Sequence, residues 1–178
     1  MASARPLPTD PIAEARRQWI DHGWGDAADG MVAVASVMRT QQLMLSRVES
    51  ALKDFGLSFA RFELLRLLAF TRGGALPMAS ASARLQVHPT STTNTVDRLE
   101  RDALVRRGAH PTDRRATLVS ITDAGRELVC AATERLNAEV FGAPGIPAED
   151  LRQLVGILAR FRRGSGDFLD PAEPPEPL

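Results

Sequence analysis

Residues 87 to 125 constrain the fold more than any other stretch: VHPTSTTNTVDRLERDALVRRGAHPTDRRATLVSITDAG. Val87-His88-Pro89 turns the chain into a helix of about Pro89 to Asp102, since proline at a first helical position sacrifices no hydrogen bond. Thr92, Val96, Leu99 and Ala103 share one face of it. Thr90, Ser91, Thr93, Asn94, Asp97 and Arg98 lie on or beside the other. Two strands follow, about Val105 to Ala109 and Ala116 to Ile121, around a loop that ends in Asp113-Arg114-Arg115. A short helix with a polar outer face, then a hairpin with a basic tip, suits a surface that reads base edges and touches the phosphates beside them.

The remainder is helical. Asp10-Pro11 opens a first helix to about Asp21, with Trp19 on its apolar side, and His22-Gly23-Trp24-Gly25 breaks it. A long helix of about Ala27 to Phe55 carries Met31, Val34, Met38, Leu45, Val48, Leu52 and Phe55 at helical spacing and stops at Gly56. Ser58 caps a helix with Phe62, Leu65 and Leu68 inward, and a short helix of about Pro77 to Leu85 precedes the central stretch. After the hairpin, Thr122 caps a helix of about eighteen residues, and Ala148 to Arg163 forms the last, with Leu151, Leu154, Leu158 and Phe161 along one stripe. The fold class is mainly α with a small β-hairpin. Residues 1–9 and the acidic, proline-rich 164–178 read as disordered tails.

Composition narrows the class. The 178 residues carry 22 basic and 22 acidic side chains, net zero, with 44% hydrophobic residues, so a core can form. The charge is uneven: from Arg84 to Leu118 seven arginines face four acids, a local +3 against −3 elsewhere. A solvated surface gives the same count. No apolar run is long enough to span a bilayer and no signal-peptide core is present, which points to a cytoplasmic protein with no membrane partner. The single cysteine, Cys130, excludes an internal disulfide, and its helical setting without neighbouring bases reads as inert. His22, His88 and His110 lack metal-ligand spacing, and no nucleophile–base pair or Gly-rich phosphate loop is seen. No metal, cofactor or catalytic residue is assigned, and the chain reads as no enzyme.

The chain resembles the MarR family of winged helix-turn-helix transcription regulators. The resemblance covers about Met31 to Phe161 and rests on Leu57 to Leu65 (LSFARFELL), Val96 to Arg107 (VDRLERDALVRR), the Asp113-Arg114-Arg115 tip, and Leu118 to Gly125 (LVSITDAG). It implies a homodimer on a pseudo-palindromic operator in double-stranded DNA, many members being repressors released by a small aromatic or phenolic effector. Residues 10–56 and 123–163 then supply dimerisation, and 57–122 the winged helix-turn-helix. Two departures are visible. Ala81 stands where members usually carry leucine, which implies looser packing, and an additional helix with Trp19 and Trp24 precedes the first long one.

The resemblance assigns DNA contact to His88, Pro89, Thr90, Ser91, Thr93, Asn94 and Arg98, and to Asp113, Arg114 and Arg115 at the wing. Asparagine suits a bidentate pair with adenine, and serine and threonine give or accept. Other roles stay open at this point: Ser and Thr at a helix start also cap it, His88 is a phosphate donor or a cap, and Arg98 meets phosphate or pairs with Asp102. Arg115 is implied to reach the minor groove, with Asp113 holding it through a bidentate pair. An effector pocket is implied near Trp24, Met38, Arg39, Arg61, Phe62 and Leu65, residue types that also make plain core. A different class of function stays open too: a winged-helix interaction or architectural module that binds DNA weakly.

Overall fold

The computed structural model describes residues 6–110, 112–113 and 115–169. The chain forms two compact units, Met1–Val48 and Glu49–Leu178, and their boundary falls inside one long helix rather than at Gly56. No helix among the described residues is long and apolar enough to cross a membrane.

In the first unit α1 spans Pro11–Asp21 and α2 begins at Gly25 and runs to Leu52. Asp10 caps α1, its carboxylate accepting the Ile12 N–H at 2.9 Å. The break needs Gly23, whose φ of +81° suits glycine. Trp19 and Trp24 then meet edge to face at 5.5 Å, and Arg16 pairs with Asp29 at 2.9 Å. Ala28 is buried, but α1 buries none of its own residues, and Val34, Val37 and Met38 are exposed along α2.

The second unit holds the main core. After α2 a 3-10 turn, Lys53–Phe55, ends at Gly56 in the left-handed region. The turn takes up the last three residues expected of the long helix. Helix α3, Phe59–Phe70, is capped by Ser58, whose Oγ accepts the Arg61 N–H at 3.4 Å. Strand β1, Ala75–Pro77, leads into α4, Met78–Leu85, and then α5, Pro89–Arg101. Strands β2, Val105–Ala109, and β3, Thr117–Ile121, precede α6, Asp123–Leu136, which runs on through a π-helical turn, Asn137–Phe141. Helix α7 spans Ala148–Gly164.

The expected hairpin is present as β2 and β3, and β1 joins it to make a three-stranded antiparallel sheet in the order β1-β3-β2, with Leu76 opposite Val119 and Val105 opposite Ile121. The three residues of β1 are too short to show a period of two, and their partner lies more than forty residues away. Inside, Leu52, Leu64, Leu65, Leu68, Leu99 and Leu136 are fully buried, with Val96, Val105, Val119 and Val129 among them. Each such side chain stabilises by about 1.5–3 kcal/mol over its exposed state. Helix α3 packs against α4, α5 and α6, so it is the central post of this unit. Ala81 is fully buried; the small cavity of about 40 Å³ between α3 and α5 is lined by Leu64, Leu85 and Thr92 among others, not by Ala81.

Helix α7 buries no residue, and Phe161 on its expected inward stripe is 73% exposed. Residues 164–169 of the expected disordered tail hold defined structure. Gly164 closes α7, and Gln86 Nε2 donates to the Asp167 carbonyl and carboxylate at 3.1 and 2.9 Å. Residues 170–178 of that tail, and 1–5 of the other, lie outside the described residues.

Gly125 is where packing leaves no room for a side chain. A Cβ there would sit 2.2 Å from the Leu104 carbonyl oxygen, a backbone atom at the foot of the hairpin. Gly125→Ala is expected to destabilise by about 2–3 kcal/mol, roughly 4–12 °C in Tm. Thermal unfolding followed by circular dichroism checks this, and an unchanged midpoint would show that the α6 start can shift away from the hairpin.

Candidate nucleic-acid interface

Helix α5 is oriented by what it buries. Thr92, Val96 and Leu99 are inward, and Thr92 also takes a buried hydrogen bond from Ser82 Oγ on α4, at 2.8 Å. Between the helices Gln86 holds a left-handed conformation, φ +55°, which makes the turn tight. His88 is the cap: its Nδ1 accepts the Thr90 N–H at 3.3 Å. A neutral ring that accepts at Nδ1 carries its proton at Nε2, so capping leaves a donor for phosphate. Pro89 occupies the first helical position.

The opposite face carries the predicted residues together. Thr90, Ser91, Thr93, Asn94 and Arg98 are all exposed. The Thr93 hydroxyl donates to the Pro89 carbonyl at 3.0 Å, which leaves its oxygen to act as an acceptor toward solvent. The Asn94 amide has no partner among the described residues, so all of its donors and acceptors stay available. Arg98 also lacks an ion pair among them. Its expected partner Asp102 is paired with Arg61, whose Nη1 donates to the Gly56 carbonyl at 2.8 Å. Glu100 is paired with Arg107.

At the wing, Asp113 and Arg115 are exposed, and Arg114 lies outside the described residues. The expected Asp113–Arg115 bidentate pair is corrected. Asp113 Oδ1 accepts the backbone N–H of Arg115 at 2.9 Å, and no ion pair joins the two. A carboxylate two residues before the N–H it accepts closes an Asx-type turn. The aspartate therefore shapes the backbone of the tip and leaves the guanidinium outward. His110 adds to this, its Nδ1 accepting the Asp113 N–H at 3.2 Å.

Arg107 on β2 has no role assigned from the sequence beyond its charge and its place in the family-matching run. Its Nη2 meets Asp97 at 2.6 Å and its Nη1 meets Glu100 at 2.5 Å, while its backbone N–H donates to Glu100 at 2.9 Å. That backbone N–H, then the guanidinium, hold the Glu100 carboxyl below the usual carboxylate range. Burial works against the Arg107 charge, but the two carboxylates outweigh it and raise its pKa. A depressed carboxylate pKa means that this contact contributes its stability above the unfolded value, about 4.3, and loses it only as pH falls through the lower folded value. The contact is thus intact throughout the neutral range. Heptad-like spacing cannot reveal such a contact, because the partners lie on a helix and a strand.

The six expected pocket residues divide between the units. Trp24, Met38 and Arg39 belong to the first, where Trp24 and Met38 are 55% and 61% exposed; Arg39 lines an open groove of about 810 Å³ with Ala35 and residues 6–12. Arg61, Phe62 and Leu65 belong to the second. Phe62 and Leu65 are core there, and Arg61 lines an open depression of about 420 Å³ with Lys53 and Arg98. Neither unit gathers all six into one site. Among the described residues no group of three or more metal-ligating side chains could hold a metal ion.

Comparison with known proteins agrees with this geometry. Residues 55–116 match the MarR family model. The chain is 32% identical over 110 residues to the uncharacterized HTH-type transcriptional regulator YdgJ of Bacillus subtilis (strain 168), a match covering 60% of this chain and 65% of that protein. The crystal structure of Sco5413, a MarR family transcriptional regulator from Streptomyces coelicolor, superposes with a TM-score of 0.72 at 46% identity, over 80% of this chain and 99% of that one. CouR from Rhodococcus jostii RHA1, solved with p-coumaroyl-CoA, gives a TM-score of 0.58 at 29% identity, over 68% and 85%.

Two substitutions separate positioning from reading. Arg98→Ala is expected to weaken binding of every DNA sequence by about three- to tenfold and to lower the salt slope by about one per subunit. Asn94→Ala is expected to relax preference at one position of each half-site, a loss of about 1–3 kcal/mol of discrimination. Anisotropy titrations over a salt series, with single-base variants of the bound duplex, measure both. An Arg98→Ala effect confined to one sequence would reverse the assignment.

Proposed function

This chain belongs to the MarR family of transcriptional regulators, and we propose that it acts as a homodimeric repressor that binds a pseudo-palindromic operator and releases it when a small aromatic or phenolic ligand binds. The observation that carries the reading is the pairing of one polar, exposed helix face with one arginine-tipped hairpin in the same unit. Thr90, Ser91, Thr93 and Asn94 offer short hydrogen-bonding groups of the kind that discriminate base edges in a major groove. Arg98 and His88 flank them with groups suited to phosphate. Arg115, presented by a turn that Asp113 closes, suits the narrower groove beside it, where arginine is favoured by the stronger negative potential. Arg114 is assigned to the same tip.

The dimer supplies what one chain leaves undone. Val34, Val37 and Met38 on α2 and Val155, Ile157 and Phe161 on α7 are exposed apolar residues, and a second copy is the partner that the family provides. Two recognition helices related by a two-fold axis then face half-sites about one helical turn of DNA apart. The ligand is the finer part of the proposal. CouR, at 29% identity, was solved with p-coumaroyl-CoA, and Trp24, Met38, Arg39, Arg61, Phe62 and Leu65 are the residues assigned to receive the effector, with an arginine for an acidic group. The reading is of a cytoplasmic, non-enzymatic protein, since its proposed partner is DNA.

The test is binding of the purified protein to DNA from upstream of its own gene, against random DNA of equal length at physiological salt. A specific regulator is expected to prefer its site by about 10³-fold or more, and Arg115→Ala is expected to lower that affinity at least tenfold while the dimer persists in sedimentation. Equal and weak binding to both, with a genome-wide search that finds no preferred site, favours the interaction module instead.

A further inference from the structure

We propose that Arg107 is a positioning residue for DNA reading, the one that locks the wing to the recognition helix. The inference rests on the DNA-binding reading above and names a part that reading does not use. Arg107 stands on β2, the strand that leads into the wing tip, yet its guanidinium is committed to α5. Nη1 is held by Glu100 at 2.5 Å, Nη2 by Asp97 at 2.6 Å and by the Thr93 carbonyl at 3.4 Å. The backbone N–H of the same residue donates to Glu100 at 2.9 Å. Four hydrogen bonds thus cross from one strand residue to nearly two turns of the helix that carries Thr93, Asn94 and Arg98. The arrangement needs the planar fork of an arginine, because an ammonium is a point charge with no fixed directions.

Two consequences follow from chemistry alone. The contact sets the angle and distance of the hairpin relative to α5, and so where Arg115 arrives once α5 is seated in a groove. It also masks charge. Asp97 lies three residues after Asn94 and four after Thr93, hence on the reading face, and its bare carboxylate would stand within a Debye length of the phosphates. The pairing with Arg107 removes that repulsion. Arg107 itself has three of its five guanidinium N–H donors committed to α5 and is three-quarters buried, so it acts through the groups it holds rather than by touching DNA.

The test is a double-mutant cycle between Arg107 and Arg115. The probe is the duplex that the wild-type protein selects from a random-sequence pool, and affinity is read by fluorescence anisotropy at fixed salt, with Tm and dimer mass recorded for each variant. Arg107→Gln is expected to weaken binding at least tenfold with the dimer intact. Adding Arg115→Ala to it is expected to cost less than a further threefold, although Arg115→Ala alone costs tenfold or more, because a wing that is no longer aligned has no arginine contact left to lose. A fold-stabilising role, or a direct phosphate contact by Arg107, predicts instead that the two effects multiply, and that result overturns the inference. Unchanged affinity in Arg115→Ala also overturns it, since the hairpin then has nothing to align. Should Arg107→Gln fail to fold, the same cycle is run with Arg107→Lys, which keeps the charge but cannot span all its acceptors, with the same expectation. A wild-type protein that selects no sequence at all refutes the DNA-reading proposal itself; a selected sequence with multiplying effects refutes only the role of Arg107.

Discussion

Burial of one face of α5 is the constraint on which the rest depends. Thr92, Val96 and Leu99 are driven inward against α3 and the sheet, and a 13-residue helix with three such anchors has no freedom to rotate. The hydroxyl bond from Ser82 to Thr92 makes the docking specific as well as favourable. A buried hydroxyl without a partner is penalised by about 1–3 kcal/mol, so α4 and α5 meet in one register. Once the inner face is set, Thr93, Asn94, Asp97 and Arg98 must point out, because helical geometry leaves them nowhere else.

Charge on this chain matters by placement and not by sum. With 22 acids and 22 bases the whole molecule has no net attraction for a polyanion. Near α5 and the wing, however, the acids are occupied. Asp97 and Glu100 are held by Arg107, Asp102 by Arg61, and Asp113 by a backbone N–H. Arg98 on the helix face and Arg115 at the wing tip are among the arginines that have no ion pair among the described residues. The same four acids that seem to dilute the basic segment are thus the groups that hold its architecture.

The apolar surface tells a complementary story. The second unit buries a leucine-rich core around α3, whereas α7 buries nothing and α1 buries nothing. Exposed valine, isoleucine, methionine and phenylalanine on long helices are unfavourable in water at about 25 cal/mol per Å². Most surface of this kind lies on the helical flanks, with Phe70 and Val87 as exceptions, and none of it is on the reading face of α5, as the proposed dimer through those flanks requires.

Periodicity, caps and punctuation were local enough to be read directly. Asp10, Ser58 and Thr122 cap the helices expected of them, Pro89 opens α5, and Thr92, Val96 and Leu99 form the apolar face that spacing assigns, whereas Ala103, expected with them, lies past the helix end and is exposed. The family was legible for the same reason, since its signature is a run of short motifs in order. What sequence missed were pairings between residues far apart along the chain. The strand Ala75–Pro77 exists only because Leu118 to Ser120 lie beside it. Asp113 serves a backbone N–H and not a guanidinium because the tip turns back on itself. Arg107 gained its role because the hairpin folds against the helix that precedes it. A helix face depends on neighbours three and four residues away, and the sequence by itself determined it. The partner of a charge depends on which surfaces meet, and only the tertiary structure decided that.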